Sequence, residues 1–265
     1  FLRLNQESLA LYFDVCTFFL SATLIYSLSL PRSRKVQRAP IDLTRTFTEI
    51  KEGWKFIGAN PTVRSVMVGL GTGLIGGGMI APLGPIYANQ VLHAGAAGFG
   101  LLLTALGMGL AAGVVGLSTL QGRVPHSRLF PWSVVGAGLS MLVAVSMGSL
   151  GLTMAFIAVM GICAGAVYVL GFTILQEGVS DELRGRTFAT LYTLSRLCML
   201  ISLSLAPLVS RVFDDLSNAL VDGELSLGSA DFSVPGVRIT LWIGAAIILV
   251  AGALALKAQK AEEPS

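Results

Sequence analysis

An arginine and an aspartate sit where a bilayer accepts neither easily. Arg196 lies about nine residues into an apolar run that reads as a helix over 187–213. At 1.5 Å per residue this is roughly 14 Å along the helix, too deep for a side chain reaching out from the helix end. An ionisable group inside a span is costly and marks a functional site by default. Two readings of Arg196 stand: a donor to backbone carbonyls or to Tyr192, and a group on a solute pathway. Asp14, about five residues into the apolar run 9–30, is shallow enough for water to reach it, and there a carboxylate can take up and release a proton.

A denser group of charges occupies 177–186: Glu177, Asp181, Glu182, Arg184 and Arg186. Carboxylates just ahead of a helix suit its positive N-terminal dipole, and guanidinium groups pair bidentately with carboxylates or with lipid phosphate. Such pairs can form when one side of a protein closes and break when it opens. The bland alternative is a solvated charged turn. No catalytic constellation appears: there is no Gly-x-x-x-x-Gly-Lys-Ser/Thr loop, no His-Glu-x-x-His, and no Ser and His pair on plausible loops. Cys16, Cys163 and Cys198 all fall within apolar runs without Cys-x-x-Cys spacing, which argues for packing residues over disulfides or a metal site. Neither an enzyme nor a bound cofactor is expected.

The elements that carry these residues follow from composition. Hydrophobic residues make up 54% of the chain and charged ones 12%, against about 25% charged in soluble domains, and the mean hydropathy is +0.76. The class is all-α integral membrane. Roughly twenty apolar residues cross the hydrocarbon core as a helix, and seven runs qualify: 9–30, 61–87, 98–120, 131–148, 152–176, 187–213 and 237–256. The second starts with Asn60 as N-cap and Pro61 at the first helical position. Its glycines at 69, 71, 73, 76, 77 and 78, followed by Pro82 and Pro85, suit either close helix packing or a bendable helix beside a cavity, and the prolines favour the second. Gly107, Gly109, Gly113 and Gly116 form a small-residue stripe on the third.

Charge sets the orientation. The segment 31–64 holds eight of the eighteen basic residues, and Leu43, Phe47, Ile50, Trp54 and Ile57 recur in it at intervals of three and four. That stripe predicts an amphipathic helix in the membrane interface. Basic loops stay on the cytoplasmic side. Fourteen of the eighteen Lys and Arg fall in alternate loops that are thereby internal, the others being Arg3, Arg196, Arg211 and Arg238. The chain would start outside and end in the cytoplasm, with a polar, acidic external loop at 214–236. A net charge of +3, sorted by loop, leaves no nucleic-acid patch.

The loops carry a family likeness. Glu49-Ile50-Lys51-Glu52-Gly53-Trp54-Lys55-Phe56-Ile57 ahead of Asn60-Pro61, and Gln176-Glu177 through Asp181-Glu182-Leu183-Arg184-Gly185-Arg186, resemble segments of the major facilitator superfamily, in its bacterial drug-efflux-like branch. The resemblance implies two six-helix halves joined by a cytoplasmic loop. Residues 1–30 would then be the last helix of the first half, 31–62 the central loop, 63–256 the second half, and 257–265 a cytoplasmic tail. The first half would precede Phe1. The resemblance also implies alternating access in the inner (plasma) membrane; the missing ATP motif points to an ion gradient or another chain as the energy source, and a cavity of few polar groups among Met, Leu, Ile and Gly suits a small lipophilic substrate. The resemblance turns the second and fifth spans to the central cavity, so that Thr72, Met79, Tyr168, Thr173 and Gln176 become substrate contacts with Arg196 nearby. Asp14 becomes a possible proton carrier, and the 177–186 charges a cytoplasmic gate. One departure is the family's acidic-and-basic loop motif at 116–128, where Gly122, Arg123 and Arg128 stand without an acidic residue. A seven-helix receptor-like protein, or the membrane anchor of a fused enzyme domain, is the alternative; Lys257 at the membrane edge is poorly placed to hold retinal.

Overall fold

The computed structural model describes residues 6–27, 58, 60–120, 126–221, 224–227, 230–233 and 235–262. The chain divides into two units, Phe1–Leu43 and Thr44–Ser265. Helix α1, Gln6–Ser27, belongs to the first. The interfacial helix expected within 31–62, and Gly122 and Arg123 of the loop motif, lie outside the described residues.

The second unit runs α2 (Pro61–Gly78), α3 (Ile80–Gln90), α4 (Gly95–Leu120), α5 (His126–Ser146), α6 (Leu150–Gly178), α7 (Asp181–Val221), β1 (Glu224–Leu227), β2 (Ala230–Ser233) and α8 (Gly236–Glu262). Six helical stretches in it are long and apolar enough to cross a membrane, α2 and α3 counting as one. With the 22 residues of α1, about 33 Å of helix, the chain is a multi-pass membrane protein of seven spans.

The second span breaks where the prolines act. Asn60 takes the extended N-cap backbone, φ −110° and ψ 103°, although its side chain makes no capping bond. Helix α2 ends at Gly78, Met79 forms a turn, and α3 begins at Ile80. Pro82 explains the break: it has no N–H for the Gly78 carbonyl four residues back, and its ring crowds that carbonyl. The Met79 N–H instead reaches Gly76 O at 3.4 Å, a tighter turn that closes α2.

The glycines are chiefly for packing. Helices α4 and α6 cross through reciprocal Gly-x-x-x-Gly pairs. A Cβ at Gly161 or Gly165 would lie 2.5 Å from the carbonyl oxygen of Leu106 or Leu110, and one at Gly109 or Gly113 would overlap the carbonyl of Ala158 or Ile162. Helices α2 and α8 meet in the same way at Gly76 and Gly244. Acyl chains give no hydrophobic reward for association, so backbone approach of this kind is what holds spans together.

Two polar segments are more ordered than their composition suggests. Within 177–186, helix α6 continues to Gly178 and α7 starts at Asp181, so that Arg184 and Arg186 stand on the first turns of a helix. The Ser180 carbonyl accepts the Leu183 and Arg184 N–H groups at 3.0 and 2.9 Å. Within 214–236, α7 runs on to Val221, and an antiparallel hairpin follows with Leu225 opposite Phe232 and Ser226 opposite Asp231. Within this polar segment, a 4-residue pair of strands alternating apolar and polar residues satisfies backbone groups that an irregular loop would leave to water.

Candidate functional site

Helix periodicity turns one face of α7 away from the bundle. Leu191, Cys198, Ser202, Ala206 and Ser210 are buried at spacings of four and seven. Leu194 and Cys198 lie against Gly71 of α2, and the Ser202 hydroxyl donates to Ile75 O at 3.0 Å. Arg196 is two residues from Leu194 and from Cys198, about 200° around the helix, and is exposed. Tyr192, one turn earlier, is 55% exposed. Among the described residues of this unit, no hydrogen bond or ion pair holds Arg196, so its reading as a donor to carbonyls or to Tyr192 is not what the side chain does here.

Helix α6 supplies a second wall. Its Leu170, Gly171, Ile174 and Leu175 are buried, with Gly171 against Leu70 of α2, while Tyr168 stays 55% exposed. Tyr168 meets Phe172 with ring centroids 4.5 Å apart, and Phe172 meets Phe188 of α7 at 5.6 Å, both pairs tilted. Helix α2 packs between α6 and α7 and shows Arg64 and Val68 as exposed and Thr72 as partly exposed, at a spacing of four. Depths agree across the three helices. Counted from the ends at the α6–α7 turn at 1.5 Å per residue, Thr72, Tyr168 and Tyr192 all lie roughly 15 Å in, and Arg196 roughly 22 Å in. The exposed strips of α6 and α7 flank α2 as a shallow groove with aromatic walls and Thr72 on its floor, while Arg196, opposite the α2-facing side of α7, stands on the outer face of that helix.

The remaining candidates divide. The Thr72 hydroxyl donates to Val68 O at 2.6 Å and that of Thr173 to Val169 O at 2.9 Å, so both spend their hydrogens on their own helices and face a ligand as acceptors. Met79 is buried at the α2–α3 break, its sulfur beside Gly244 of α8; the structure places it in the helix core and not on the groove. Gln176 is exposed, and its carbonyl accepts Arg184 Nη2 at 3.1 Å. Glu177 lies 3.7 Å from Nδ1 of His126 on α5. Asp181 and Glu182 open α7, and their side-chain pairing lies outside the described residues. The Arg186 carbonyl accepts the Thr190 hydroxyl at 2.9 Å. In α1, the Asp14 carbonyl accepts the Thr17 hydroxyl at 2.7 Å.

A second polar group, at the opposite end of the bundle, was not among the candidates. Arg238, in the first turn of α8, is only 3% exposed. Its Nε donates to Val145 O at 3.0 Å and its Nη2 to Met147 O at 3.0 Å. The Tyr87 hydroxyl lies 3.2, 3.2 and 3.1 Å from the carbonyls of Ala144, Val145 and Met147. Trp242 Nε1 donates to Ser146 Oγ at 3.1 Å, and the Gly236 N–H to Asp214 Oδ1 at 2.6 Å. The last carbonyls of a helix lack intrahelical donors, and a cation suits that negative end. Arg238 therefore ties α8 to the end of α5, while Asp214 of α7 caps the start of α8. Beside this knot lies an apolar crevice of about 430 Å³, counting its open mouth, lined by Ile80, Phe99, Leu102, Leu106 and Ile157 among others. The signal in the sequence was the charge alternation itself, since Arg238 is one of four basic residues that it leaves over.

Six spans packed through glycines around a broken helix define a multi-pass membrane protein. The chain is a membrane transporter of the major facilitator type. It belongs to the transmembrane secretion effector family, whose model matches residues 8–206. The match takes in every groove residue and ends before Arg238. Among curated proteins none matches the chain.

Proposed function

We propose that this chain forms the second half, and the helix before it, of an exporter that moves small lipophilic compounds out across the inner membrane by alternating access. A first six-helix half on the same polypeptide would close the groove, with the α6–α7 turn and the C-terminus in the cytoplasm. The observation that carries this reading is Arg196, a cation at mid-span on an outward face of α7. A charge at that depth is too costly to face acyl chains, so the face belongs opposite protein or water. The pathway is the groove of Thr72, Tyr168, Thr173 and Arg196, with Gln176 at its cytoplasmic end. Rocking of two halves about a midplane site would open it to each side in turn.

The charges of 177–186 gather where such a movement opens the cytoplasmic side. Glu177 with His126, and Asp181, Glu182, Arg184 and Arg186 across the tight turn, would make and break pairs with the other half. The drive in this reading is an ion gradient, with Asp14 as the proton carrier; with no ATP-binding loop in this sequence, the other source of energy would be another chain. Everted vesicles holding the full-length protein should accumulate a lipophilic dye when energised and lose it when an ionophore collapses the gradient. Accumulation indifferent to the ionophore would remove the coupling, and no accumulation at all would remove the exporter.

A further inference from the structure

We infer that the outer seam between α5 and α8 binds an anionic phospholipid, with the phosphate at Arg128 and Lys257 and an acyl chain along the seam. The two helices run antiparallel in direct contact. A Cβ on Gly138 would lie 2.9 Å from Leu249 Cγ, and one on Gly252 would lie 2.6 Å from Val135 Cγ2. Five residues further along each helix, this register sets Lys257 level with Phe130. Arg128 is two residues beyond Phe130, about 3 Å nearer the membrane surface. Both cations stand at the ends of their spans, which begin at His126 on α5 and finish at Lys257 on α8.

The exposed sides of both helices turn away from α2. Phe130 packs on Gly69 of α2, and Ile248 on Gly76. Trp132 and Val250 are two residues on, about 200° round their helices, and are 63% and 60% exposed. Arg128, Trp132 and Leu139 repeat at spacings of four and seven on the outward face of α5, and Val250 and Lys257 at a spacing of seven on that of α8, all of them exposed. The Glu177 carboxylate beside His126 lies on the other side of α5, since His126 and Arg128 are also about 200° apart.

Charge and shape then fix the occupant. A guanidinium carries five donors, so the interaction that Arg128 makes within the protein leaves capacity for a phosphate. The Lys257 ammonium can reach the same level along its own stem, and Trp132 has the amphipathic ring suited to that depth. Basic residues between spans at a membrane surface select anionic headgroups. Below them the α8 side of the seam is narrow, with Ala246 and Ala253 both exposed, which leaves room for a chain beside Leu139. The far end of the same helix pair lacks this character: Arg238 and Trp242 spend donors on Val145 O and Ser146 Oγ. A soluble anion would use the two charges and leave the apolar seam beneath them unused, so the occupant is a lipid.

The test uses cysteine-free full-length protein in nanodiscs of phosphatidylglycerol and phosphatidylcholine with matched chains, carrying a bimane on a cysteine in place of Leu139. Quenching by brominated chains, placed on one lipid or the other, reads the ratio of their affinities at that point. The ratio is expected to favour phosphatidylglycerol at least about fivefold, and to stay within about twofold of unity for a bimane at Met108 on α4, a helix without a charged residue. Arg128→Gln with Lys257→Gln should bring the ratio at Leu139 to about one, and Arg128→Lys with Lys257→Arg, which keeps both charges, should retain at least about half of the preference. If the double Gln variant fails to assemble, Lys257→Gln alone should lower the ratio about twofold, and an unchanged ratio overturns the site. A ratio near one at the outset, an equal preference at Met108, or a preference that survives the double Gln substitution overturns it as well. So does a charge-retaining exchange that abolishes the preference. Loss of the preference on adding millimolar glycerol 1-phosphate assigns the two cations to a soluble anion and also overturns it.

Discussion

Replacing Arg238 with alanine is expected to lower the thermal stability of the purified protein more than any other single substitution of a charged residue. The guanidinium is buried and serves two carbonyls at the end of α5, Val145 and Met147, from the first turn of α8. Hydrogen bonds from a charged donor contribute about 1.5–3 kcal/mol each, and buried acceptors stripped of a donor bear the full desolvation cost. Bonds between membrane helices average nearer 0.6 kcal/mol. Those measurements concern mostly neutral groups, so the charged fork at a helix C-terminus should lie between, about 3 kcal/mol in total. Arg238→Lys keeps the charge but loses the fork, and should recover about half. Arg211→Ala, at an exposed position on α7, should be nearly silent. Unfolding temperature in detergent checks all three, and an unchanged midpoint for Arg238→Ala would contradict the role given to the knot.

The second large effect is expected at the crossing of α4 and α6. Gly161→Leu puts a side chain where its Cβ alone would lie 2.5 Å from Leu106 O and 3.0 Å from the Gly109 Cα. Overpacking a core costs about 1–3 kcal/mol when side chains can give way. Here the obstacles are backbone, so the helices themselves must part and the cost should reach the top of that range or exceed it. Gly107→Leu is the control, because a Cβ there meets nothing within 4 Å. The readout is the fraction of protein that stays monodisperse after detergent extraction and mild heating. Equal losses for the two variants would mean that the Gly-x-x-x-Gly pairs do not set this crossing.

These residues also show how far the chain could be read without coordinates. The glycines of the third span were recognised as a small-residue stripe, but Gly107 and Gly109 are about 200° apart on a helix. Only the pair at 109 and 113 meets α6, and finding it requires the partner helix. Charge alternation marked Arg238 as a misfit without explaining it, because the explanation is a carbonyl group 93 residues away in the chain. Composition could count Met79 as a soft lining residue, whereas Pro82 three positions on turns the chain so that Met79 packs on α8. Arg196 stood out as a charge among apolar neighbours and Tyr168 entered through the family resemblance, and the role of both stays a proposal. The ring contacts that run from Tyr168 through Phe172 to Phe188 were not legible, since Phe172 and Phe188 lie on different helices.

The central claim is that the face of α7 bearing Arg196, and the facing side of α6, line a water-filled pathway. The test is single-cysteine labelling in a background without Cys16, Cys163 and Cys198. A charged, membrane-impermeant maleimide would be added from the cytoplasmic side to full-length protein carrying cysteine in place of Tyr168 or Tyr192, or of Met108 or Val115 on α4. All four positions are well exposed in the unit, between 55% and 69%. Labelling at positions 168 and 192, with little at 108 and 115, is the result expected if the first pair faces solute and the second faces lipid. Labelling confined to the α4 positions, or equal at all four, would contradict the groove and with it the pathway built on Arg196.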